Sequence, residues 1–227
     1  MIDDDQDSQF KFKKRMSMLF DIEYVHINNL PPIPKNYKYN TSKITQLSYC
    51  LFDKNCGQIK FNNMYIKPED SLVERYPEHH TKSKIRTKVL IKDGIPLRNA
   101  LEQMIQDIER CGMIISHGLE QDMSIVKCEM YRHQLDETVF DKIDKFCTMK
   151  VSKNIVKAVD RNGKIKMPRV DEIYHYYMQI PMDLSNNHNA LFDCRNTLLS
   201  YLMMINLHDR DKGLELIKKV RKELIIM

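Results

Sequence analysis

The first third of the chain alternates between apolar runs and short polar breaks, a pattern that predicts three strands. Residues 16–25 are apolar enough for a buried strand. Two further runs, residues 44–52 and 58–66, are separated by Asn55-Cys56-Gly57, which predicts a turn between paired strands. A proline-rich and polar segment, residues 30–42, precedes the second strand and is expected to form a loop over a cleft.

The rest of the chain changes to helical spacing. Residues 67–93 carry many charges and little periodicity, so we predict a mostly irregular segment. Apolar residues recur at helical spacing over 97–108, and Gly112 is the predicted stop. The remaining predicted elements are strands over 113–116 and 145–149, helices over 119–130, 170–178, 189–207 and 213–226, and a polar loop over 161–166. Strands followed by alternating helices and strands predict an α/β fold with a mixed central sheet flanked by helices.

Length and composition predict one main domain. The chain has 227 residues and 42% hydrophobic content, which suffices for a sizeable core. Residues 1–15 begin acidic and turn basic, so we expect a mobile N-terminal tail. Residues 16–208 form the predicted main domain, and residues 209–227 the predicted C-terminal amphipathic helix, packed on the same domain.

Charge and cysteine usage narrow the class of protein. The formal net charge of +5 is compatible with a polyanionic partner, although many proteins without one share it. The six cysteines include no CxxC pair and lie within apolar runs, which is typical of reduced, buried thiols. No apolar run is long enough to span a membrane, and no signal-peptide pattern precedes the first strand. We therefore expect an intracellular protein in a reducing compartment, with no membrane partner.

Two carboxylates stand out in the first predicted strand. Asp21 and Glu23 are two residues apart, so their side chains point to the same face of the strand. Two carboxylates on one rigid face repel each other unless cations neutralise them. The alternative is a strand end with one solvated face, and this pair alone leaves both interpretations open.

A second acidic position follows the strand predicted over 113–116. Asp122 lies in the first turn of the next helix, where carboxylates also occur as helix-stabilising groups. His117 stands between the strand and this helix and is either a hydrogen-bonding residue or a ligand. Neither residue is decisive alone.

The third candidate segment begins the helix predicted over 189–207. Asp193 lies outside the apolar stripe of that helix, and Ala190 shares its face. The small Ala190 side chain would leave room for a ligand. His188 lies in the preceding polar loop, and the unperturbed pKa of histidine, near 6.5, suits a general base. His188 could equally serve only to start the helix.

Together, and in this order, the three segments resemble the motifs of a known family. Asp21-Ile22-Glu23, the spacing from His117 to Asp122, and His188-x-Ala190-x-x-Asp193 are similar to the three motifs of the DEDDh 3′–5′ exonucleases, the proofreading-exonuclease-like branch of the ribonuclease H-like superfamily. The resemblance spans nearly the whole chain, from residue 16 to residue 207. One departure is Gly118, since the family usually has Asn after the second-motif histidine.

The resemblance implies a fold and a mechanism. It implies a ribonuclease H-like fold in which Asp21, Glu23, Asp122 and Asp193 hold two Mg²⁺ or Mn²⁺ ions, with His188 as the general base. The implied reaction is hydrolysis of nucleic-acid phosphodiesters from the 3′ end, with release of nucleoside 5′-monophosphates. The implied substrates are single-stranded or frayed 3′ ends of RNA or DNA. The residues implied to contact the substrate are Ile22, Tyr24, His117 and Ala190.

Two other functions stay open at this point. A degenerate member of the same fold would bind nucleic acid or a protein without cleaving it, although all five polar groups are present. An interaction protein would instead use the basic residues 218–222 of the last helix to bind phosphates or a partner.

Overall fold

The structure is a computed structural model that describes residues 16–31, 33, 39–78 and 85–226, with only the backbone described for 224–226. The predicted tail over residues 1–15 and part of the predicted loop over 30–42 lie outside the described residues.

Five strands form one mixed sheet, as the sequence predicted. The strands are β1 (Met16–His26), β2 (Ser42–Asp53), β3 (Ile59–Tyr65), β4 (Cys111–Ser116) and β5 (Asp144–Cys147). Their order across the sheet is β3-β2-β1-β4-β5. β1 and β2 pair antiparallel, as do β2 and β3, whereas β4 is parallel to both β1 and β5. The central strand β1 therefore has neighbours on both edges.

Helices cover both faces of this sheet. They are α1 (Thr87–Asp93), α2 (Leu97–Ile108), α3 (Leu119–Arg132), α4 (Thr148–Val156), α5 (Val170–Met178), α6 (Ala190–Ile205) and α7 (Arg210–Ile226), with two 3₁₀ helices, Asp70–Arg75 and Glu137–Phe140. In the described part of the chain, no helix combines the length and apolar character needed to cross a bilayer.

The alternation of side chains along β1 decides which helices meet which residues. Met18, Phe20 and Ile22 pack in the core formed with α2 and α3. Leu19 points the other way, into the core formed with α5, α6 and α7. Side chains two apart share a face, so Asp21 and Glu23 continue the Leu19 side and fall on the face that α6 covers.

Three predicted boundaries differ from the structure. The segment 67–93 was predicted as mostly irregular, but it contains a 3₁₀ helix and α1, which together with β1 bury Leu72 and Leu90 in a small separate core. Gly112 is not a helix stop, because α2 already ends at Ile108 and Gly112 belongs to β4. The strand predicted over 145–149 ends at Cys147, and Thr148 begins α4.

The last helix packs on the main domain. Leu216, Ile217 and Val220 of α7 are buried in the same core as α6. Lys219 donates from its Nζ to the carbonyl oxygen of Asn55, 3.3 Å away, in the turn that joins β2 to β3. This turn follows Asp53, which pairs with Met16 at the start of β1. The basic face of α7 therefore lies near the beginning of β1.

Candidate active site

A cleft of about 530 Å³ opens at the carboxyl half of β1. β1 contributes the segment from Asp21 to His26, and the loop before α6 contributes His188. The segment from Met167 to Asp171, before and within the first turn of α5, forms another wall. We call this feature the carboxylate cleft, because Asp21, Glu23 and Asp193 all line it.

Three of the predicted residues meet around one point in this cleft. One ligand atom from each of Glu23, His188 and Asp193 lies within 4.8 Å of the other two. Glu23 and Asp193 are only 9% and 7% exposed, whereas His188 is exposed. β1 and α6, which are far apart in sequence, thus bring two buried carboxylates and an accessible imidazole together.

Asp21 interacts electrostatically with this cluster and with Asp122. Burial raises the pKa of Asp21 well above its usual value, and the charges of Asp122, Asp193 and Glu23 raise it further. Burial also raises the pKa of Asp122 to about 7, although a hydrogen bond from the Ser116 hydroxyl opposes the shift. The pKa of Asp193 is likewise raised by burial to about 7, against the hydrogen bond from the backbone N–H of His188. Three neighbouring carboxylates thus disfavour the charged form of Asp21, and a bound cation would favour it.

The residues present fit a divalent cation. Asp193 Oδ1 is buried and has no hydrogen-bond partner, while Oδ2 accepts from the backbone N–H of His188 at 3.1 Å. Within the described chain, no lysine or arginine pairs with Asp21, Asp122 or Asp193. An unpartnered carboxylate oxygen among other carboxylates suits a hard cation such as Mg²⁺ or Mn²⁺.

A second acidic cluster offers a contrast. Glu69, Glu129 and His133 also place possible ligand atoms within 4.8 Å of one another. Lys43 is already inside that cluster, with its Nζ 2.7 Å from Glu69 Oε1 and 3.0 Å from Glu129 Oε2. Arg132 donates to the other oxygen of Glu129. Because the protein's own cations neutralise these carboxylates, this cluster is an ion network that holds the fold together.

The start of α6 is fixed by its own backbone and cap. Asn189 caps the helix, since its Oδ1 accepts from the backbone N–H of Phe192 at 3.3 Å. His188 precedes the cap with a φ of 63°, in the left-handed region. That turn directs the His188 N–H back toward Asp193. The loop geometry therefore holds Asp193 through the backbone and leaves the imidazole unconstrained by that contact.

Gln46 ties this helix start to the sheet, a role that the sequence did not suggest. The side chain is fully buried on β2, and its Oε1 accepts from the backbone N–H of Ala190 at 3.1 Å. Its Nε2 donates to Asn63 Oδ1 at 2.8 Å and approaches Asn189 Oδ1 at 3.4 Å. Gln46 also pairs directly with Glu23 across the two strands. The sequence shows only that a polar residue lies within a predicted strand, whereas the tertiary structure shows which groups it contacts.

His117 forms part of the cleft wall in a neutral state. Its burial lowers the pKa to about 4, against a hydrogen bond to the backbone carbonyl of Pro168. Nδ1 lies 3.1 Å from Thr148 Oγ1. Because the other ring nitrogen of His117 donates its N–H to the carbonyl of Pro168, Nδ1 is left to accept a hydrogen bond from the threonine hydroxyl. His117 thus joins the end of β4 to the start of α4 and to the segment before α5.

The other predicted substrate contacts differ in their exposure to the cleft. Tyr24 lines it, and its hydroxyl accepts a hydrogen bond from Gln121. Ile22 borders it but is only 5% exposed and packs in the opposite core. Ala190 is fully buried, and its N–H is bound by Gln46. In this structure Ala190 therefore contributes its backbone N–H to the helix start that Gln46 holds.

Gly118 explains the departure in the second motif through its backbone. It begins α3 with a φ of 98° and a ψ of 30°, in the left-handed region. Glycine adopts this conformation without penalty, and Asn is among the few other residues that tolerate it. Glycine at position 118 therefore suits the turn that leads into the helix bearing Asp122.

The raised pKa values predict an unusual stability profile. Asp122 and Asp193 bind protons more tightly in the folded than in the unfolded protein, because both have a folded pKa of about 7 and an ordinary value of 3.8. In EDTA, these two groups should make stability fall as pH rises from about 4 to about 7. Added Mg²⁺ should restore stability increasingly over the same range, since ionised carboxylates bind it.

The measurement is thermal unfolding from about pH 4 to about pH 8, with EDTA and with Mg²⁺. The lowered pKa of His117 gives an opposite slope between about 4 and 6.5. The Mg²⁺-minus-EDTA difference isolates the carboxylates, because His117 is not among them. Superimposable curves with and without the cation would contradict the prediction.

Comparison with solved structures identifies the fold. E. coli Exonuclease I in complex with a dA16 oligonucleotide superposes with a TM-score of 0.63 at 11% identity, over 88% of this chain and 42% of that one. The zinc-bound complex of the E. coli enzyme with single-stranded DNA gives 0.62 at 11% identity, with the same coverage. A 3′-exonuclease that recognises the histone mRNA stem-loop gives 0.59 at 13% identity, over 91% of this chain and 71% of that one.

These likenesses concern the fold. The α/β architecture with its mixed five-stranded sheet matches the fold of these exonuclease structures, which confirms the predicted ribonuclease H-like fold class. This chain spans about two fifths of the length of Exonuclease I. No protein-family model and no characterised protein sequence matches the chain.

Proposed function

We propose that this protein is a metal-dependent 3′–5′ exonuclease of the DEDDh type. The single observation that carries the proposal is that Glu23, Asp193 and the accessible His188 meet in one cleft, next to Asp21, whose pKa is raised by burial and by the charges of Asp122, Asp193 and Glu23. The neighbours in fold support it, since their structures contain single-stranded DNA or an mRNA stem-loop. The proposed substrates are single-stranded or frayed 3′ ends of RNA or DNA.

The proposed cofactors are two Mg²⁺ or Mn²⁺ ions held by Asp21, Glu23, Asp122 and Asp193. Such ions, when bound, would polarise the phosphodiester and stabilise negative charge on the attacking and leaving oxygens. Oxygen-only ligands favour these hard cations over zinc. The zinc-bound form of E. coli Exonuclease I supports a divalent-cation site in this fold.

The protein's own groups would supply the proton chemistry and the positioning. His188 is exposed and within 4.8 Å of Glu23 and Asp193 oxygens, so it can accept a proton from the attacking water. His117 is a poor base at neutral pH because burial lowers its pKa to about 4. Tyr24 and His117 border the cleft where the terminal nucleotide would lie. Attack of water on the last phosphorus would break its bond to the 3′-oxygen of the preceding nucleotide, which releases a nucleoside 5′-monophosphate and leaves a 3′-hydroxyl on the shortened strand.

The free thiols support a reducing location. All six cysteines are unpaired, and five of them are buried. We propose an intracellular, reducing compartment on this basis.

The test is digestion of oligonucleotides labelled at the 5′ end. Single- and double-stranded RNA and DNA are incubated with Mg²⁺, with Mn²⁺ or with EDTA. We expect stepwise shortening from the 3′ end and release of 5′-monophosphates, only with a divalent cation. Tight binding without shortening under every condition would instead favour a catalytically inactive binding protein of the same fold.

A further inference from the structure

A basic hairpin lies beside the carboxylate cleft. It covers residues 157–169 and is closed by an isolated antiparallel bridge between Val159 and Ile165. The backbone N–H of Asp160 donates to the carbonyl oxygen of Lys164 at 2.8 Å, and its own carbonyl oxygen accepts from the backbone N–H of Gly163 at 3.0 Å. Its carboxylate accepts from the backbone N–H groups of Asn162 and Lys164 at 2.8 and 2.9 Å. The turn is therefore held in shape by its only acidic side chain.

The hairpin is continuous with the cleft wall. Its last residues, Met167, Pro168 and Arg169, line the carboxylate cleft. The carbonyl of Pro168 also accepts a hydrogen bond from His117. A polymer whose end lies among the carboxylates could leave the cleft along this hairpin.

The hairpin is strongly basic. Residues 157–169 contain five cationic residues and one acidic residue, and that acid is used in the turn. Lys166 and Arg169 pair with acidic residues of α5. None of the described ion pairs involves the other three cations, all of which are exposed. These three are Lys157, Arg161 and Lys164.

The same hairpin exposes apolar side chains. Val159 and Ile165 are opposite each other in the bridge, so they lie on one face, and they are 55% and 51% exposed. Met167 is also exposed and reaches the cleft. A surface that combines unpaired cations with apolar contacts next to a phosphodiester site is complementary to a single strand, which presents both phosphates and unstacked bases.

We propose that the hairpin 157–169 binds the single-stranded nucleotides that precede the 3′-terminal one. Lys157, Arg161 and Lys164 contact their phosphates, while Val159, Ile165 and Met167 contact their bases. This inference rests on the proposed function for the position of the 3′ end. It predicts that the hairpin governs the affinity for long strands and has little effect on cleavage itself.

The test compares two triple variants that remove the same charge. One is Lys157→Gln/Arg161→Gln/Lys164→Gln in the hairpin, and the control is Lys218→Gln/Arg221→Gln/Lys222→Gln on α7. Both lower the formal charge by three, so a general loss of attraction affects them equally. The control residues lie on the same helix as Lys219, which contacts the turn next to the start of β1, roughly 20 Å along the strand from Glu23.

Two readouts separate this inference from the proposed function. Binding of single-stranded RNA and DNA of about 12 nucleotides, a typical single-strand site size, is measured in an Asp193→Asn background. Cleavage is measured in the active protein on that oligomer and on a dinucleotide. Failure of the unaltered protein to shorten any oligomer would overturn the proposed function, whereas the binding assay tests the hairpin regardless of cleavage.

We expect the hairpin variant to weaken oligomer binding at least about tenfold and to reduce the slope of log affinity against log salt by about 2. Its kcat/KM on the dinucleotide should stay within about twofold, and the α7 variant should bind normally. The charge-preserving Lys157→Arg/Arg161→Lys/Lys164→Arg variant should retain binding. Equal weakening by both triple variants, or no weakening by the hairpin variant, would overturn the proposal.

Discussion

Replacing Asp193 with Asn is expected to abolish hydrolysis while making the metal-free protein more stable. The isosteric amide removes a charge that raises the pKa of Asp21, and it can satisfy the unpartnered Oδ1 position. The free energy of unfolding in EDTA should rise by about 1–3 kcal/mol, the usual cost of an unsatisfied buried polar group. Loss of a cation ligand should lower kcat/KM by about 10³-fold or more. The stabilisation by Mg²⁺ that we predict for the unaltered protein should largely disappear.

Asp107 provides a matched control for this experiment. It is also 7% exposed, but its Oδ2 accepts a hydrogen bond from the Tyr49 hydroxyl at 2.8 Å. An Asp107→Asn variant should therefore gain no stability in EDTA and should keep its activity and its response to Mg²⁺. If Asp193→Asn destabilises the metal-free fold, or still hydrolyses oligonucleotides at the normal rate, the proposed cation site is wrong.

The shared face of Asp21 and Glu23 could be predicted from the sequence because it follows from local geometry, whereas their grouping with Asp122 and Asp193 came from the resemblance to the DEDDh exonucleases. Alternation along β1 requires Asp21 and Glu23 to share a face, and the structure places both at the same cleft. The spacing of apolar residues along α6 also predicted that Asp193 lies in the first turn of that helix and outside its apolar stripe. These features need no knowledge of distant contacts.

Other parts depend on tertiary contacts and could not be read from the pattern. The 3₁₀ helix Asp70–Arg75 and α1 each bury one apolar residue, Leu72 and Leu90 respectively. Helices with so few turns do not show a recognisable helical spacing of apolar residues within a segment rich in charges. Ile205 continues the helical spacing of the apolar residues of α6, yet it is 47% exposed because it is the last residue of the helix.

The hydrogen bonds of Gln46 behind the cleft are the clearest example of contacts that the sequence could not predict. Gln46 is one of several fully buried polar residues of β2, a strand that the sequence placed correctly. Its partners, Asn63 and Ala190, come from β3 and α6, and their hydrogen bonds depend on how those elements meet. Sequence can show that a buried polar group needs a partner, but only the fold identifies the partner.

The His188 side chain is expected to act in proton transfer rather than in holding the site together. Asp193 is bound by the backbone N–H of His188, so changing the imidazole leaves that hydrogen bond in place. The φ of 63° at this position makes Asn the appropriate replacement, because Asn tolerates the left-handed region and Ala does not. His188→Asn should lower kcat by about 10²–10⁴-fold, the usual contribution of a general base.

The same variant should leave KM and the thermal stabilisation by Mg²⁺ nearly unchanged, because all four carboxylates remain. His208→Asn is the control, since His208 is an exposed residue in the turn beyond the opposite end of α6. Single-turnover rates across pH sharpen the test, as loss of the base should remove the rise in rate on the acidic side. A normal single-turnover rate in His188→Asn would exclude the base assignment. Loss of Mg²⁺ stabilisation in that variant would instead make His188 a cation ligand, as its distance from Glu23 and Asp193 permits.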